Sequence, residues 1–157
     1  MCVIEKLFAS VTHLENRYIN KNTGWDRGKA SEGLLYWLNT GLIAPSRIWV
    51  PGCGNGYEVI VLAEKGFKVT AIDIAPTPIN NLKVALTGAN LNATLIQEDF
   101  FSWQPEQPFD AIYEQTTIVK WIICRRFLQM RNGSGANSIK NLKWHQDELM
   151  YMLIKRR

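Results

Sequence analysis

Four short apolar runs punctuate the chain, and between them apolar residues recur every three or four positions. The runs are Arg47-Ile48-Trp49-Val50-Pro51, Lys68-Val69-Thr70-Ala71-Ile72-Asp73, Thr94-Leu95-Ile96-Gln97 and Phe109-Asp110-Ala111-Ile112-Tyr113-Glu114. Each is bounded by Gly, Pro or polar residues, which is the signature of a strand. Tyr57 to Ala63 reads as a helix that Gly66 closes. Ile79, Leu82 and Leu86 give a second helical face, with Thr77 as its cap and Pro78 in the first turn. Upstream, Ser31 caps a helix carrying Leu34, Leu35, Trp37 and Leu38, and Gly41 suits its end. Thr12-His13-Leu14-Glu15 fits a capping box, with Thr12 as N-cap and Leu14 and Tyr18 on one face. Strands alternating with helices across short Gly/Pro loops predict a doubly wound parallel sheet covered on both faces, with right-handed crossovers.

After Thr117 the pattern degrades. Residues 118–130 are nearly continuously apolar, broken by Lys120, Arg125 and Arg126. Residues 131–137 read as a Gly/Ser-rich linker. Ser138 is placed to cap a final helix with Ile139, Leu142, Leu149, Met150 and Leu153 on one face, and no strand is predicted beyond the fourth. The fourth strand would then keep an open edge. The chain accordingly divides into a region 1–117 and a divergent segment 118–157.

Charge follows the same division. Residues 1–117 carry 9 Lys/Arg and 12 Asp/Glu, whereas residues 118–157 carry 9 Lys/Arg and 2 Asp/Glu. The net charge of +4 is therefore a weakly acidic body with a strongly basic tail. The 157 residues suffice for one domain with a real core. No apolar run reaches the ~20 residues of a membrane span, and the first residues lack a signal-peptide pattern, so a cytoplasmic protein with no membrane partner is expected. Three cysteines without Cys-x-x-Cys, and only His13 and His145, argue against a disulfide framework or a metal centre.

The candidate chemistry sits between the first two strands. Gly52-Cys53-Gly54-Asn55-Gly56 is a glycine-rich turn between a strand and a helix, the form of a phosphate- or nucleotide-binding turn. Asp73 ends the next strand 21 residues after Gly52, close to the ~20-residue offset of a ribose-binding acid. The Gly-x-Gly-x-Gly spacing departs from the Gly-x-Gly-x-x-Gly of dinucleotide enzymes, which disfavours a nicotinamide oxidoreductase. Read alone, the glycines also fit a plain tight turn, and Phe100, Phe101 and Trp103 fit core packing. Cys53 has no basic neighbour in sequence and reads as a packing residue.

Val50 to Val59, Ala71 to Pro76, Gln97 to Phe101 and Phe109 to Thr116 together resemble the S-adenosylmethionine-dependent class I methyltransferases. They are most similar to the thiopurine methyltransferase superfamily, which includes the thiol/halide methyltransferases. Thr23-Gly24-Trp25-Asp26-Arg27-Gly28 resembles that group's Trp-Asp-x-Gly segment. The resemblance covers about residues 12–117 and implies a Rossmann-like fold with S-adenosyl-L-methionine as cofactor. By position it implies that Gly52, Gly54 and Gly56 pass beneath the methionine part. It further implies that Asp73 holds the ribose hydroxyls and that Asp99 and Phe100 meet the adenine. Tyr18 and Trp25 would lie on a cover over the cofactor. Tyr113, Glu114 and Gln115 would face the reacting methyl group, with Tyr113 and Glu114 positioning the acceptor. In the thiopurine branch proper, Gly52, Asp73 and Gln115 are instead Leu, Glu and Arg, which points to a thiol or similar soft nucleophile as the small-molecule acceptor.

The family's apolar segment, helix, Gly-rich loop and later strands are not recognisable after Thr117. A truncated or frame-altered product would look like this, and so would a genuine divergent tail. The cofactor half of the site is expected to be formed and the acceptor half incomplete, with methyl transfer weak or absent. The rival readings are a non-catalytic remnant of such an enzyme and a nucleic-acid-associated protein using the basic tail. The absence of a reader motif in the tail counts against the last.

Overall fold

The computed structural model describes residues 11–100, 102–115, 138–144 and 148–154, the last two stretches as backbone strands. Phe101, the apolar run 118–130 and the linker 131–137 lie outside the described residues.

Strand β1 (Arg47–Pro51) is the hub. It pairs in parallel with β2 (Lys68–Asp73) on one side and β4 (Ala111–Glu114) on the other, and β3 (Thr94–Gln97) adds in parallel outside β2. β1, β2 and β3 coincide with the apolar runs of the sequence. β4 starts two residues later than its run, because Asp110 uses its N–H and carboxylate to bracket Arg47 instead.

Side chains on a strand alternate between faces, and both faces of this sheet are buried. Ile48, Val50, Val69, Ala71, Ala111 and Tyr113 form one face. They share a core with Leu34 and Trp37 of α2 (Glu32–Asn39), Val59 and Leu62 of α3 (Tyr57–Glu64), and Leu82 and Leu86 of α4 (Pro76–Gly88). Trp49, Ile72 and Ile112 point the other way and are fully buried. Trp49 stacks on Phe109 at 6.1 Å and meets Trp103 at 5.8 Å. Two covered faces are what a parallel sheet requires.

Three expectations are corrected. Ser138 does not open a helix. Residues 138–144 form β5 (Ser138–Trp144), which pairs antiparallel with β6 (Glu148–Ile154). β6 then pairs antiparallel along the whole of β4, from Ala111↔Met152 to Glu114↔Leu149. The sheet thus has six strands in the order β3-β2-β1-β4-β6-β5, and the open edge expected at β4 is closed. The continuous apolar stretch of β6 has no period of its own, so only its partner strands could assign it. Second, α4 begins at Pro76 with Ala75 as N-cap, two residues earlier than the Thr77–Pro78 reading; Pro76 tolerates the first helical position because an N–H there would have no intrahelical partner. Third, Thr12 lies inside α1 (Val11–Ile19) rather than capping it. Glu15 spends its carboxylate elsewhere: Oε2 accepts the Thr77 N–H at 3.0 Å, and Oε1 accepts the Thr77 hydroxyl. A side chain of α1 therefore caps α4, which has no side-chain cap of its own.

Ser31 caps α2 as expected, its Oγ accepting the Leu34 N–H at 2.9 Å. Gly41 and Gly66 take positive φ just beyond α2 and α3, as the sequence indicated.

Candidate functional site

The site lies at the carboxyl ends of β1, β2 and β4, where parallel sheets place their ligand crevice. β1 ends in a turn whose three glycines all adopt positive φ: +62° at Gly52, +53° at Gly54 and +71° at Gly56. Gly56 is required on two counts. Its conformation strains any other residue, and a Cβ there would sit 2.4 Å from Leu82 Cδ2. Gly52 is the opposite case, since a Cβ there would meet nothing within 4 Å. The turn is therefore packed against α4 at Gly56 and open to a ligand at Gly52. α3 starts directly after Gly56 without a side-chain cap, leaving helix N–H groups beside the turn.

Asp73 joins this turn to the end of β2. Its Oδ2 accepts the Gly54 N–H at 2.9 Å and its Oδ1 accepts the Ala75 N–H at 3.0 Å. The carboxylate is only 8% exposed. Burial raises its pKa above the ordinary value, and the N–H groups of Ala75, Gly54 and Ile74 pull the other way. These three N–H groups occupy three of the carboxylate's roughly four lone-pair sites, which leaves one for a further donor.

Residues 11–28 reach over the turn from the N-terminal side. The Tyr18 hydroxyl comes within 3.0 Å of where a Gly54 Cβ would stand. Burial, and secondarily Asp73, push its pKa up to about 12. Tyr18 meets Trp25 edge to face at 6.1 Å, and Trp25, 45% exposed, carries the Arg17 guanidinium 4.2 Å over its ring. Asp26 fastens the segment down: its Oδ2 accepts from Asn55 Nδ2 at 2.5 Å and from the Tyr57 hydroxyl at 3.4 Å. Asn55 in turn accepts from Asn81 of α4 at 3.2 Å.

On the far side, β4 delivers Tyr113, Glu114 and Gln115. Continuing the β1–β4 register brings Glu114 level with Pro51, so these residues stand beside the glycine turn. Tyr113 is buried and its hydroxyl donates to Ser31 Oγ at 3.1 Å. Glu114 is 2% exposed. Gln115 Nε2 donates to Glu58 Oε1 at 3.1 Å, and the same oxygen accepts the Ser31 N–H at 3.1 Å. Beyond β3, Asp99 and Phe100 are half-buried, and the Asp99 carbonyl accepts from Ser102 and Trp103 in a turn. They follow Gln97, the register partner of Asp73.

The structure thus gathers Tyr18, Gly52, Gly54, Gly56 and Asp73 directly, and sets Tyr113 to Gln115 and Asp99 to Phe100 on the adjoining strand ends. Sequence reasoning passed over Glu58 and Asn55 as site residues, and read Ser31 and Glu15 only as helix caps. For Glu58 a signal existed: an acid in the first turn of an apolar helix, directly after the glycines. Cys53 is buried, which raises its thiol pKa, so it is a packing residue as read. No group of His, Cys, Asp and Glu among the described residues could hold a metal. No helix among them is long and apolar enough to cross a membrane.

The sequence pattern of one family, thiopurine S-methyltransferase, matches residues 11–121. The chain is similar to probable thiol methyltransferase 2 of Arabidopsis thaliana, 35% identical over 96 residues that cover 60% of this chain and 42% of the relative. Thiocyanate methyltransferase 1 of Brassica oleracea is 33% identical over 96 residues, covering 59% and 42%. Thiopurine S-methyltransferase of Shewanella woodyi is 31% identical over 107 residues, covering 56% and 48%. The matched stretch spans less than half the length of each of these relatives. Among solved structures, magnesium protoporphyrin IX methyltransferase of Synechocystis PCC 6803, with bound SAM, shares the fold. Its TM-score is 0.53 at 11% identity, over 93% of this chain and 96% of that one.

Proposed function

The chain belongs to the thiopurine S-methyltransferase family, and on that premise we propose that it binds S-adenosyl-L-methionine at the Gly52–Gly56 turn and directs its methyl group to a small thiol or similar soft nucleophile in the cytoplasm. One observation carries the reading: the Asp73 carboxylate bonded to Gly54 at 2.9 Å, which unites the turn and the strand-end acid in one site.

The residues present fit the cofactor. Gly52 leaves open space beside the turn, Tyr18 lies across Gly54, and Asp73 retains a lone pair for a ribose hydroxyl. Gly52, Gly54 and Gly56 would run beneath the methionine portion. Asp99 and Phe100 would border the adenine, one by hydrogen bond and one by apolar contact. Tyr18 and Trp25 would close over the whole.

When bound, S-adenosylmethionine supplies an electrophilic methyl group on a sulfonium sulfur. The chain's part is to hold an acceptor in line with it, and positioning of that kind is worth roughly 7–11 kcal/mol of barrier. A thiolate needs little activation near neutral pH, so no base–nucleophile pair is required. Tyr113 and Glu114, both buried at the end of β4, would shape the acceptor side, Tyr113 through its bond to Ser31. Gln115 would stand nearest the methyl group. Support for a thiol acceptor comes from the names of the plant relatives.

Calorimetry with S-adenosylhomocysteine and, separately, NAD tests the cofactor, and a methyl-transfer assay on small thiols tests the acceptor. Binding of S-adenosylhomocysteine but not of NAD is expected. Because β5 and β6 complete the sheet beyond β4, the ground for expecting an incomplete acceptor half is gone, and turnover on a thiol is expected as well. Preference for NAD would overturn the cofactor assignment.

A further inference from the structure

Glu58 has no part in the cofactor contacts above, yet it ties its own helix to two other parts of the site. It stands in the first turn of α3, two residues after Gly56, and is 8% exposed. One oxygen, Oε1, accepts both the Ser31 N–H and the Gln115 side-chain N–H, each at 3.1 Å. Oε1 already accepts the fixed backbone N–H of Ser31, so a carbonyl oxygen turned towards it would meet an acceptor rather than a donor. Gln115 can therefore show Glu58 only its amide nitrogen. The amide is planar with nitrogen and oxygen on opposite arms, so Gln115 Oε1 is turned away from Glu58. Gln115 is only half-buried and follows the end of β4, beside the glycine turn.

From this geometry we infer that Glu58 is a positioning residue that makes Gln115 a hydrogen-bond acceptor, rather than a donor, toward the cofactor's reacting end. The inference rests on the cofactor reading above. Its consequence is selectivity by charge. The sulfonium of S-adenosylmethionine is a cation, and the sulfur of S-adenosylhomocysteine is a neutral thioether. A carbonyl oxygen aimed at the sulfur favours the first over the second, and the opposite amide orientation would reverse that bias. The substrate form of the cofactor is then held and the product form released. The Ser31 N–H contributes by anchoring the same Glu58 oxygen to the start of α2, so that it cannot follow Gln115.

The test is calorimetry of both nucleosides on the full chain for the parent, Glu58→Ala, Gln115→Ala and the double variant. The parent should prefer S-adenosylmethionine. Each single substitution should cut that preference roughly three- to tenfold, the range for one net hydrogen bond, and the double variant should go no further. Glu58→Gln, which keeps a carbonyl acceptor, should retain most of the preference. A purely structural Glu58 would weaken both ligands alike and leave their ratio unmoved, which overturns the inference; so would additive effects in the double variant. Should Glu58→Ala fail to fold, Gln115→Ala and Glu58→Gln decide the matter, and an unchanged ratio in Gln115→Ala overturns it. A parent that binds neither nucleoside overturns the cofactor reading and this inference with it. A parent that binds both without preference overturns this inference alone.

Discussion

Asp73 accepts from Gly54 and Ala75 at once, so its removal acts on the turn as well as on any ribose. Asp73→Ala should weaken S-adenosylmethionine binding by about 1–3 kcal/mol, the range for a hydrogen bond to a charged group. Calorimetry checks the affinity. Equal titration curves for variant and parent would mean that Asp73 is not a ribose ligand. Tyr18 gives a second handle, through pH. Its folded pKa of about 12 exceeds the ordinary 10.0. The folded chain therefore keeps the phenol proton where the unfolded chain has lost it. This contribution to stability is intact below pH 10 and is lost as pH rises towards 12. Urea unfolding at about pH 9 and about pH 11 should show the parent losing more stability over that interval than Tyr18→Phe. Equal losses would contradict the burial of the hydroxyl.

At the scale of elements, residues 11–28 are held over the site by two polar clasps, Glu15 on Thr77 and Asp26 on Asn55. No residue of α1 is fully buried, so these polar contacts carry much of its attachment. Glu15→Ala combined with Asp26→Ala should therefore loosen this segment without unfolding the sheet. Amide exchange in residues 11–28 should quicken roughly tenfold or more while β1 and β2 keep their protection. Unchanged exchange would show that the clasps are incidental. These clasps also mark where sequence reading stopped. Ser31 was legible as a cap because its partner, Leu34, is three residues away. Glu15 looked like a local capping residue, and its true partner is 62 residues distant. β1 to β3 were legible because short apolar runs between Gly and Pro leave little alternative. β5 and β6 were not, because their assignment depends on pairing with β4 rather than on any period of their own. The candidate site shows the same split: glycines and strand-end acid stood out along the chain, while Glu58 gave only a first-turn acid as its signal and took its meaning from Gln115.

For the whole molecule, the six-stranded order means that the hairpin of β5 and β6 shields the β4 edge. A chain ending after residue 117 would expose that edge's unpaired backbone groups, a template for association. Size-exclusion chromatography should show the shortened chain as aggregate where the full chain elutes as a discrete species. A well-behaved shortened chain would show that the hairpin is dispensable to the sheet.

The central place of β1 also biases the order of assembly that chain entropy favours. Its union with β2 brings together Gly54 and Asp73, 19 residues apart, whereas its union with β4 brings together Arg47 and Asp110, 63 residues apart. Loop closure over the longer span costs about 1 kcal/mol more. The half of the crevice proposed for the cofactor can thus take shape while the strand bearing Tyr113 to Gln115 is still searching for its place. On that reading, a nucleoside present during folding would meet its cradle before the proposed acceptor wall exists.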